Sequence, residues 1–295
     1  MRRAVRRFMP GETIDDALTA ARTLAPDGIV SEYTRLGENL TSLAEADAVA
    51  EHYAELLDRI EAAGLDGEIS VKLTQLGLDL GAEAAYRHCE RLAAKAESAG
   101  HFFWIDMEDS SYVDATLALY VRLRADHPLS GVCLQACLRR TAADVERLLP
   151  LGPAIRLVKG AYDEPASVAF RSRREVDTNY AAIAVTLLRA GASAGSGAGS
   201  GAGAGGGRIR LGLGTHDVAL IEQISAHAAA AGIGRDAFEV QMLFGIRASE
   251  QRRLARAGYR VRTLIAYGES WYPWYMRRLA ERPANVLFAL RQLLP

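Results

Sequence analysis

Glu68-Ile-Ser-Val-Lys-Leu and Phe102-Phe-Trp-Ile-Asp-Met are two short apolar runs, and the stretch between them, Ala82 to Ala99, is rich in Ala, Leu, Arg and Glu. The runs have the length of strands. The stretch between them places apolar residues at i, i+3 and i+4, the period of a helix with one buried face. Strand, helix and strand in that order predict a parallel pair with a crossover. The pattern repeats outward from this unit. Gly28-Ile-Val-Ser-Glu-Tyr-Thr precedes it, and Gly131-Val-Cys-Leu-Gln-Ala, Ala154-Ile-Arg-Leu-Val-Lys and Arg208-Ile-Arg-Leu-Gly-Leu follow. Phe238-Glu-Val-Gln-Met-Leu and Tyr259-Arg-Val-Arg-Thr-Leu-Ile complete eight. Helix-period stretches such as Ala44 to Ala63 separate them, and Thr141 is placed to cap one that begins Ala-Ala-Asp-Val-Glu. Eight alternations predict an α/β fold, a closed (β/α)8 barrel of TIM type, over an open doubly wound sheet. Such a barrel needs roughly 250 residues. The 295 residues are therefore read as one domain, 1–295, with a helical arm over 1–27, although two ordinary domains would fit on length alone.

The balance of 35 basic and 36 acidic residues gives a net charge of −1, so no basic surplus points to nucleic acid. Met1-Arg-Arg-Ala-Val-Arg-Arg-Phe has too short an apolar run for a signal peptide. It reads as the start of a solvated helix, with a membrane-surface role as the second reading. No apolar run is long enough to span a bilayer, and the cytoplasm is the expected compartment. Cys89, Cys133 and Cys137 are odd in number and lack a Cys-x-x-Cys spacing, so neither a disulfide framework nor a zinc site is expected. Residues 192–207 are all Gly, Ala or Ser, the composition of a flexible, solvated linker. They fall between a helix over Tyr180 to Ala190 and the sixth strand, on the N-terminal side of the barrel, where no catalytic role is expected.

Of the 35 basic residues only Lys72, Lys95 and Lys159 are lysine. Lys95 sits in a charged helical stretch. Lys72 and Lys159 lie inside strand patterns, where an unpaired ammonium is costly, so each needs a chemical reason. Polar residues also collect where strands end, the functional face of such a barrel. These are Lys72-Leu-Thr-Gln, Asp106-Met-Glu-Asp, Gln135, Arg156 with Lys159-Gly-Ala-Tyr162, Gly214-Thr-His-Asp217, Gln241 and Tyr267-Gly268. Asp106 and Glu108 are too close in sequence to flank a bond as a glycosidase requires, and His216 alone is well placed for a metal. The excess of cations suggests an anionic ligand. After the eighth strand, Arg277 and Arg278 follow Trp271, Tyr272, Trp274 and Tyr275, and Glu281 stands one turn on. Two guanidinium forks can hold a carboxylate beside such an apolar wall, with Glu281 restraining either.

Val71-Lys-Leu-Thr, Asp106-Met-Glu-Asp, Leu134-Gln-Ala, Arg156-Leu-Val-Lys-Gly-Ala-Tyr162, Thr215-His-Asp and Tyr275-Met-Arg-Arg-Leu-Ala-Glu-Arg-Pro-Ala-Asn285 resemble, in order, the proline dehydrogenase family in its monofunctional form. The resemblance implies FAD across the C-terminal face of a distorted barrel, with the last helix covering the substrate. It implies oxidation of proline, or a similar cyclic imino acid, to 1-pyrroline-5-carboxylate by hydride transfer to flavin N5. Electrons would pass to a membrane quinone, placing the protein at the inner face of the membrane, and a pyrroline-5-carboxylate dehydrogenase would be a partner. By the same resemblance Arg156 matches the arginine near N5 and Gln135 the amide at the flavin edge. Met107, Lys159, Gly160, Ala161, Thr215 and His216 match the other FAD contacts. Lys72, Arg277 and Arg278 match the carboxylate ligands, Tyr162 and Leu243 the apolar walls, and Asp106 the acid that positions polar neighbours. One departure is Leu264, where many members carry a Tyr that packs on the substrate ring and disfavours hydroxyproline. Tyr267 and Tyr275 are the candidates to replace it. A lyase or aldolase using Lys72 or Lys159 as a Schiff base, and a barrel that only binds an amino acid, are the competing readings.

Overall fold

A computed structural model describes residues 8–37, 40–194 and 209–272. Its strands are β1 (Val30–Arg35), β2 (Gly67–Lys72), β3 (Phe103–Asp106), β4 (Ser130–Gln135), β5 (Ala154–Val158), β6 (Arg210–Gly214), β7 (Phe238–Leu243) and β8 (Arg260–Tyr267). They form a closed barrel in sequence order. Every neighbouring pair is parallel, and β8 closes on β1 from Val30↔Arg262 to Arg35↔Tyr267. All eight strands read from the sequence are present, and so is the closure. The helices are α1 (Ile14–Leu24), α2 (Leu43–Ala62), α3 (Ala82–Ser98), α4 (Val113–Asp126), α5 (Thr141–Leu148), α6 (Arg173–Ala194), α7 (Val218–Ala230) and α8 (Ala248–Arg256).

Side chains alternate across a strand, and here the alternation sorts apolar from polar. Ile69, Val71, Ile105, Ile155, Leu157, Leu211 and Leu213 belong to the apolar core shared with the helices. The other register points inward and is charged. Glu68 accepts from Trp104 Nε1 at 2.6 Å and pairs with Arg210 at 2.8 Å and Arg262 at 3.0 Å. Glu239 pairs with the same Arg262 at 2.8 Å and accepts from Gln241 Nε2 at 2.8 Å. Barrel interiors are more often filled by branched apolar side chains. In this one, glycines leave room for large polar groups. A Cβ at Gly212 would lie 2.7 Å from Cδ of Gln241, and one at Gly131 would strike the Trp104 indole.

Local signals explain most of the helix boundaries. Thr13 and Asp16 form a capping box on α1: the Thr13 hydroxyl accepts from Asp16 N, and the Asp16 carboxylate accepts from Thr13 N, both at 3.1 Å. Thr141 does not cap α5 as expected. It is the first helical residue, Arg140 holds the cap position, and the Thr141 hydroxyl donates to the Gln135 carbonyl at 2.5 Å. The helix expected over Tyr180 to Ala190 is longer, running from Arg173 through Ala194. Ala192, Ser193 and Ala194, expected in the flexible linker, thus belong to α6, consistent with the helix propensity of Ala. Residues 195–207, the rest of that linker, lie outside the described residues, as do Met1 to Arg7 of the expected arm. The chain leaves α6 and returns at Arg210, the N-terminal end of β6, opposite the strand ends that carry the candidate site. Phe8 and Met9 are buried against Ala266 and pack with Trp271.

Candidate active site

A cavity of about 750 Å³ opens at the C-terminal ends of the strands. That volume is in the upper part of the range of roughly 300–1,000 Å³ for small-molecule sites. Asp106, Met107, Gln135, Arg156, Lys159, Gly160, Ala161, Tyr162, Thr215, His216, Lys72 and Leu243 all line it. Twelve of the fifteen residues singled out from the sequence are therefore brought together by strands β2 to β7 and the loops after them. The other three, Arg277, Arg278 and Glu281, lie outside the described residues, as do Trp274, Tyr275 and the expected last helix.

Arg156 forms the floor. Its Nε donates to Gln241 Oε1 at 2.8 Å and its Nη1 to Asp106 Oδ1 at 2.8 Å and to Ser70 Oγ at 3.3 Å. Its Nη2 pairs with Glu32, and its guanidinium carbon lies 4.9 Å from the centre of the Trp104 ring. The five groups come from four other strands, β1, β2, β3 and β7, so barrel closure fixes the direction of the cation. Glu32 is 1% exposed. Burial pushes its carboxyl up to about 7, against the pull of Arg156. Glu239, one layer down, goes the other way. Burial would raise it, but Arg262 and Arg210 hold it down at about 2.

Gln135 donates through Nε2 to the Glu108 carbonyl at 2.6 Å, and the Cys137 thiol lies 3.9 Å from its Oε1. Gly160, at φ +111°, sits against both: a Cβ there would strike Cys137 Sγ and come within 3.1 Å of Gln135 Oε1. Only a glycine accepts that backbone so close to its neighbours. Lys159 is held between carboxylates, by Asp177 and by Asp217 at 2.8 Å. The Lys159 contact, more than any other, holds the Asp217 carboxyl below its usual range. The sequence reading asked for a chemical reason for Lys159, and two aspartates of the protein face it. Asp217 also caps α7, accepting from Leu220 N at 3.3 Å. His216 Nε2 accepts from Leu243 N at 3.5 Å, and Thr215 Oγ1 accepts from Asp217 N at 3.1 Å.

Other residues hold the mouth. Glu108 accepts from the Thr74 backbone and hydroxyl at 3.1 and 2.7 Å, tying the loop after β3 to the loop after β2. The buried Glu164 accepts from Ser110 N at 2.7 Å and ties the loop after β5 to the same region. Leu264 lines the cavity between Leu243 of β7 and Glu32 of β1. Tyr267 cannot take its place. Its hydroxyl bonds His52 Nε2 on α2 at 2.8 Å, on the outer side of the barrel. Trp271 packs on the Phe8–Met9–Ala266 cluster and Tyr272 is 55% exposed, so these two expected wall residues stand away from the cavity. The sequence reading missed Glu32, Ser70, Glu68, Arg210, Glu239 and Arg262. Their signal was present as period-two alternation of polar residues, as in Glu68-Ile-Ser-Val-Lys72.

Among the described residues no cluster of His, Cys, Asp and Glu is arranged to hold a metal ion, and no helix is long and apolar enough to cross a membrane. The family model for proline dehydrogenase matches residues 17–291. A proline dehydrogenase of Deinococcus radiodurans is 37% identical, with 98% of this chain and 89% of the relative covered. Proline dehydrogenase 1 of Bacillus subtilis is 36% identical over 99% of this chain and 91% of its own length. A solved structure, proline utilization A of Bdellovibrio bacteriovorus inactivated by N-propargylglycine, superposes with a TM-score of 0.82 at 23% identity. The match covers 94% of this chain but 32% of that larger protein, and it bears on the fold.

Proposed function

The chain belongs to the proline dehydrogenase family, and with that as premise we propose how it oxidises proline, the first step of proline catabolism. The cofactor is FAD and the product 1-pyrroline-5-carboxylate. The observation that carries this reading is the fixed guanidinium of Arg156 at the cavity floor, beside an amide, a glycine turn and two apolar walls. The donor set fits a flavin. The cation is aimed by four polar partners and cannot swing away. Gln135 has its amide nitrogen engaged below and its oxygen turned towards Gly160. The closeness of Gly160 to its neighbours leaves the backbone beside the cavity bare of side chain.

FAD, when bound, supplies the two-electron acceptor that takes a hydride from the substrate ring carbon. The residues of this chain supply the rest. Arg156 presents positive charge where negative charge accumulates. Asp106 holds Arg156 on the cavity side and so sets its height. Gln135, Met107, Gly160, Ala161, Thr215 and His216 hold the cofactor. Lys159 acts through structure, drawing Asp177 of α6 and Asp217 of α7 together beneath it. Lys72, on the cavity wall in register with Asp106, takes the substrate carboxylate with Arg277 and Arg278, and Glu281 restrains that pair. Leu243, Leu264 and Tyr162 exclude water from the ring. Electrons leave to a membrane quinone from a protein seated at the inner face of the membrane. The product is passed to a pyrroline-5-carboxylate dehydrogenase. A Schiff-base lyase is disfavoured for Lys159, because its Nζ is engaged by Asp177 and Asp217 rather than presented to a carbonyl in the cavity.

The test is direct. Purified protein is supplied with FAD and assayed with proline, and in parallel with hydroxyproline, using an artificial electron acceptor. Yellow protein that reduces the acceptor with proline supports the reading. Colourless protein that takes up no FAD sinks it. The ratio of the two substrates reports what Leu264 does in place of an aromatic ring.

A further inference from the structure

The interior beneath the cavity has an odd charge. Glu32, Glu68, Asp106 and Glu239 face Arg156, Arg210 and Arg262, and each acid is within 3.5 Å of at least one of these arginines. Glu68 and Glu239 share Arg210 and Arg262, two acids for two cations. Among the described residues Glu32 and Asp106 share Arg156. Lys72, the nearest further cation by position, is in register with Asp106 and not with Glu32. At the lower rim Arg260 pairs with Glu239 at 3.2 Å and Asp66 with Arg262 at 3.6 Å, and these two, each more than half exposed, add one charge of each sign. Among the described residues, the upper group therefore sets two acids around one arginine.

Glu32 is the member of that group with least access to water. It is 1% exposed, against 18% for the Asp106 side chain, yet it still borders the cavity. The groups acting on it are Arg156 of β5, Asp106 of β3, Glu68 of β2 and Arg262 of β8. Cys133 of β4 also lies in its field, and the Cys133 thiol is itself pushed up to about 12 by burial. Gln241 of β7 contributes a neutral amide that holds Arg156. β6 brings Gly212 and Gly214 to the same height, with no charge.

We infer that Glu32 is a positioning residue for the oxidation site, one that aims Arg156 from below and takes up a proton from solvent when negative charge develops above that arginine. The inference rests on the flavin reading of the cavity. Its balance is simple. The hydride leaves the substrate with both electrons of its bond and enters the cofactor. The site gains negative charge, and Glu32 compensates by binding H⁺ that enters through the cavity. No bond of Glu32 to substrate or cofactor forms. A raised carboxyl is half protonated near pH 7 in the resting protein. Added negative charge raises it further, so uptake falls in the window above pH 7 and vanishes well below it, where Glu32 is already neutral.

The experiment is the midpoint potential of the bound flavin between pH 5.5 and 9, for the holoenzyme and for Glu32→Gln and Glu32→Asp. In the native protein the potential should fall more steeply above pH 7, by up to about one proton per two electrons. Glu32→Gln should lose that extra slope. It should also lower kcat several-fold while KM for proline changes less than twofold, because the carboxylate ligands are untouched. Glu32→Asp keeps the acid at shorter reach and should keep the extra slope with its break displaced. Parallel native and Glu32→Gln curves overturn the inference. If Glu32→Gln does not fold, a native curve with no break, or a Glu32→Asp curve with the break unmoved, overturns it as well. Failure of the protein to take up flavin removes the premise and the inference with it. Flavin uptake with a straight native curve removes the inference alone.

Discussion

Replacing Gly212 by Ala tests whether the packing inside the barrel aims the cation at its floor. The added Cβ would lie 2.7 Å from Cδ and 2.8 Å from both terminal atoms of Gln241. Ordinary contact begins near 3.4 Å, so the amide must retreat by more than half an ångström, away from Arg156 Nε, which it now meets at 2.8 Å. Overpacking of this kind costs about 1–3 kcal/mol. Weakening a hydrogen bond to a charged group adds about 1.5–3 kcal/mol. Together they amount to roughly 2.5–6 kcal/mol, a Tm fall of about 5–12 °C at about 2 °C per kcal/mol for a chain of this size. Thermal unfolding followed by circular dichroism measures it, with flavin content recorded on the same sample. The double variant Gly212→Ala/Gln241→Ala removes the clash and should be no less stable than Gln241→Ala alone, because contacting sites do not add. A Gly212→Ala loss below about 0.5 kcal/mol, or a double variant in which the two losses add, would refute the argument.

Three further outcomes are expected. Arg278→Lys keeps the charge but loses the fork, so KM for proline should rise far more than flavin occupancy falls; equal losses in both would count against the carboxylate clamp. Lys159→Met releases Asp177 and Asp217. Asp217 now has a depressed pKa, so its pairing stabilises the fold above the ordinary carboxylate range and the benefit is lost as pH falls through the depressed value. The variant should be less stable by about 1 kcal/mol at pH 7, with the gap closing in acid, because both partners are part-exposed; a gap that is constant with pH contradicts the pairing. Deleting residues 195–205 should leave turnover nearly intact, since the segment joins α6 to the N-terminal end of β6; folded but inactive protein would show that it reaches the site.

The strands were legible because each is an apolar run between helix-period stretches, and the barrel followed from their number. The cavity residues were legible because they stand at strand ends. The interior was not. Glu32 and Arg156 are 124 positions apart, and Arg156 and Gln241 are 85 apart. A single Glu in an apolar run gives no sign of its partner until the barrel closes. Tyr267 shows the opposite error. It ends β8 beside the cavity in sequence, but the pleat turns it outward to His52 on α2. Lys159 was marked as needing a chemical reason, but the two aspartates that face it stand at the starts of other helices and are visible only in three dimensions.

The charged interior also bears on how the chain reaches this shape. Its ion pairs join β1 to β5, β2 to β6 and β2 to β8 across the barrel. No half of the chain contains both members of all of them. A partial barrel of four or five strands would carry dehydrated charges without partners, each worth about 3–5 kcal/mol against it. Sub-assemblies that would persist in an apolar barrel are thereby kept sparse, and closing the ring becomes the step that commits the chain. A fragment ending before β8 should stay expanded in solution, whatever helix content its sequence retains.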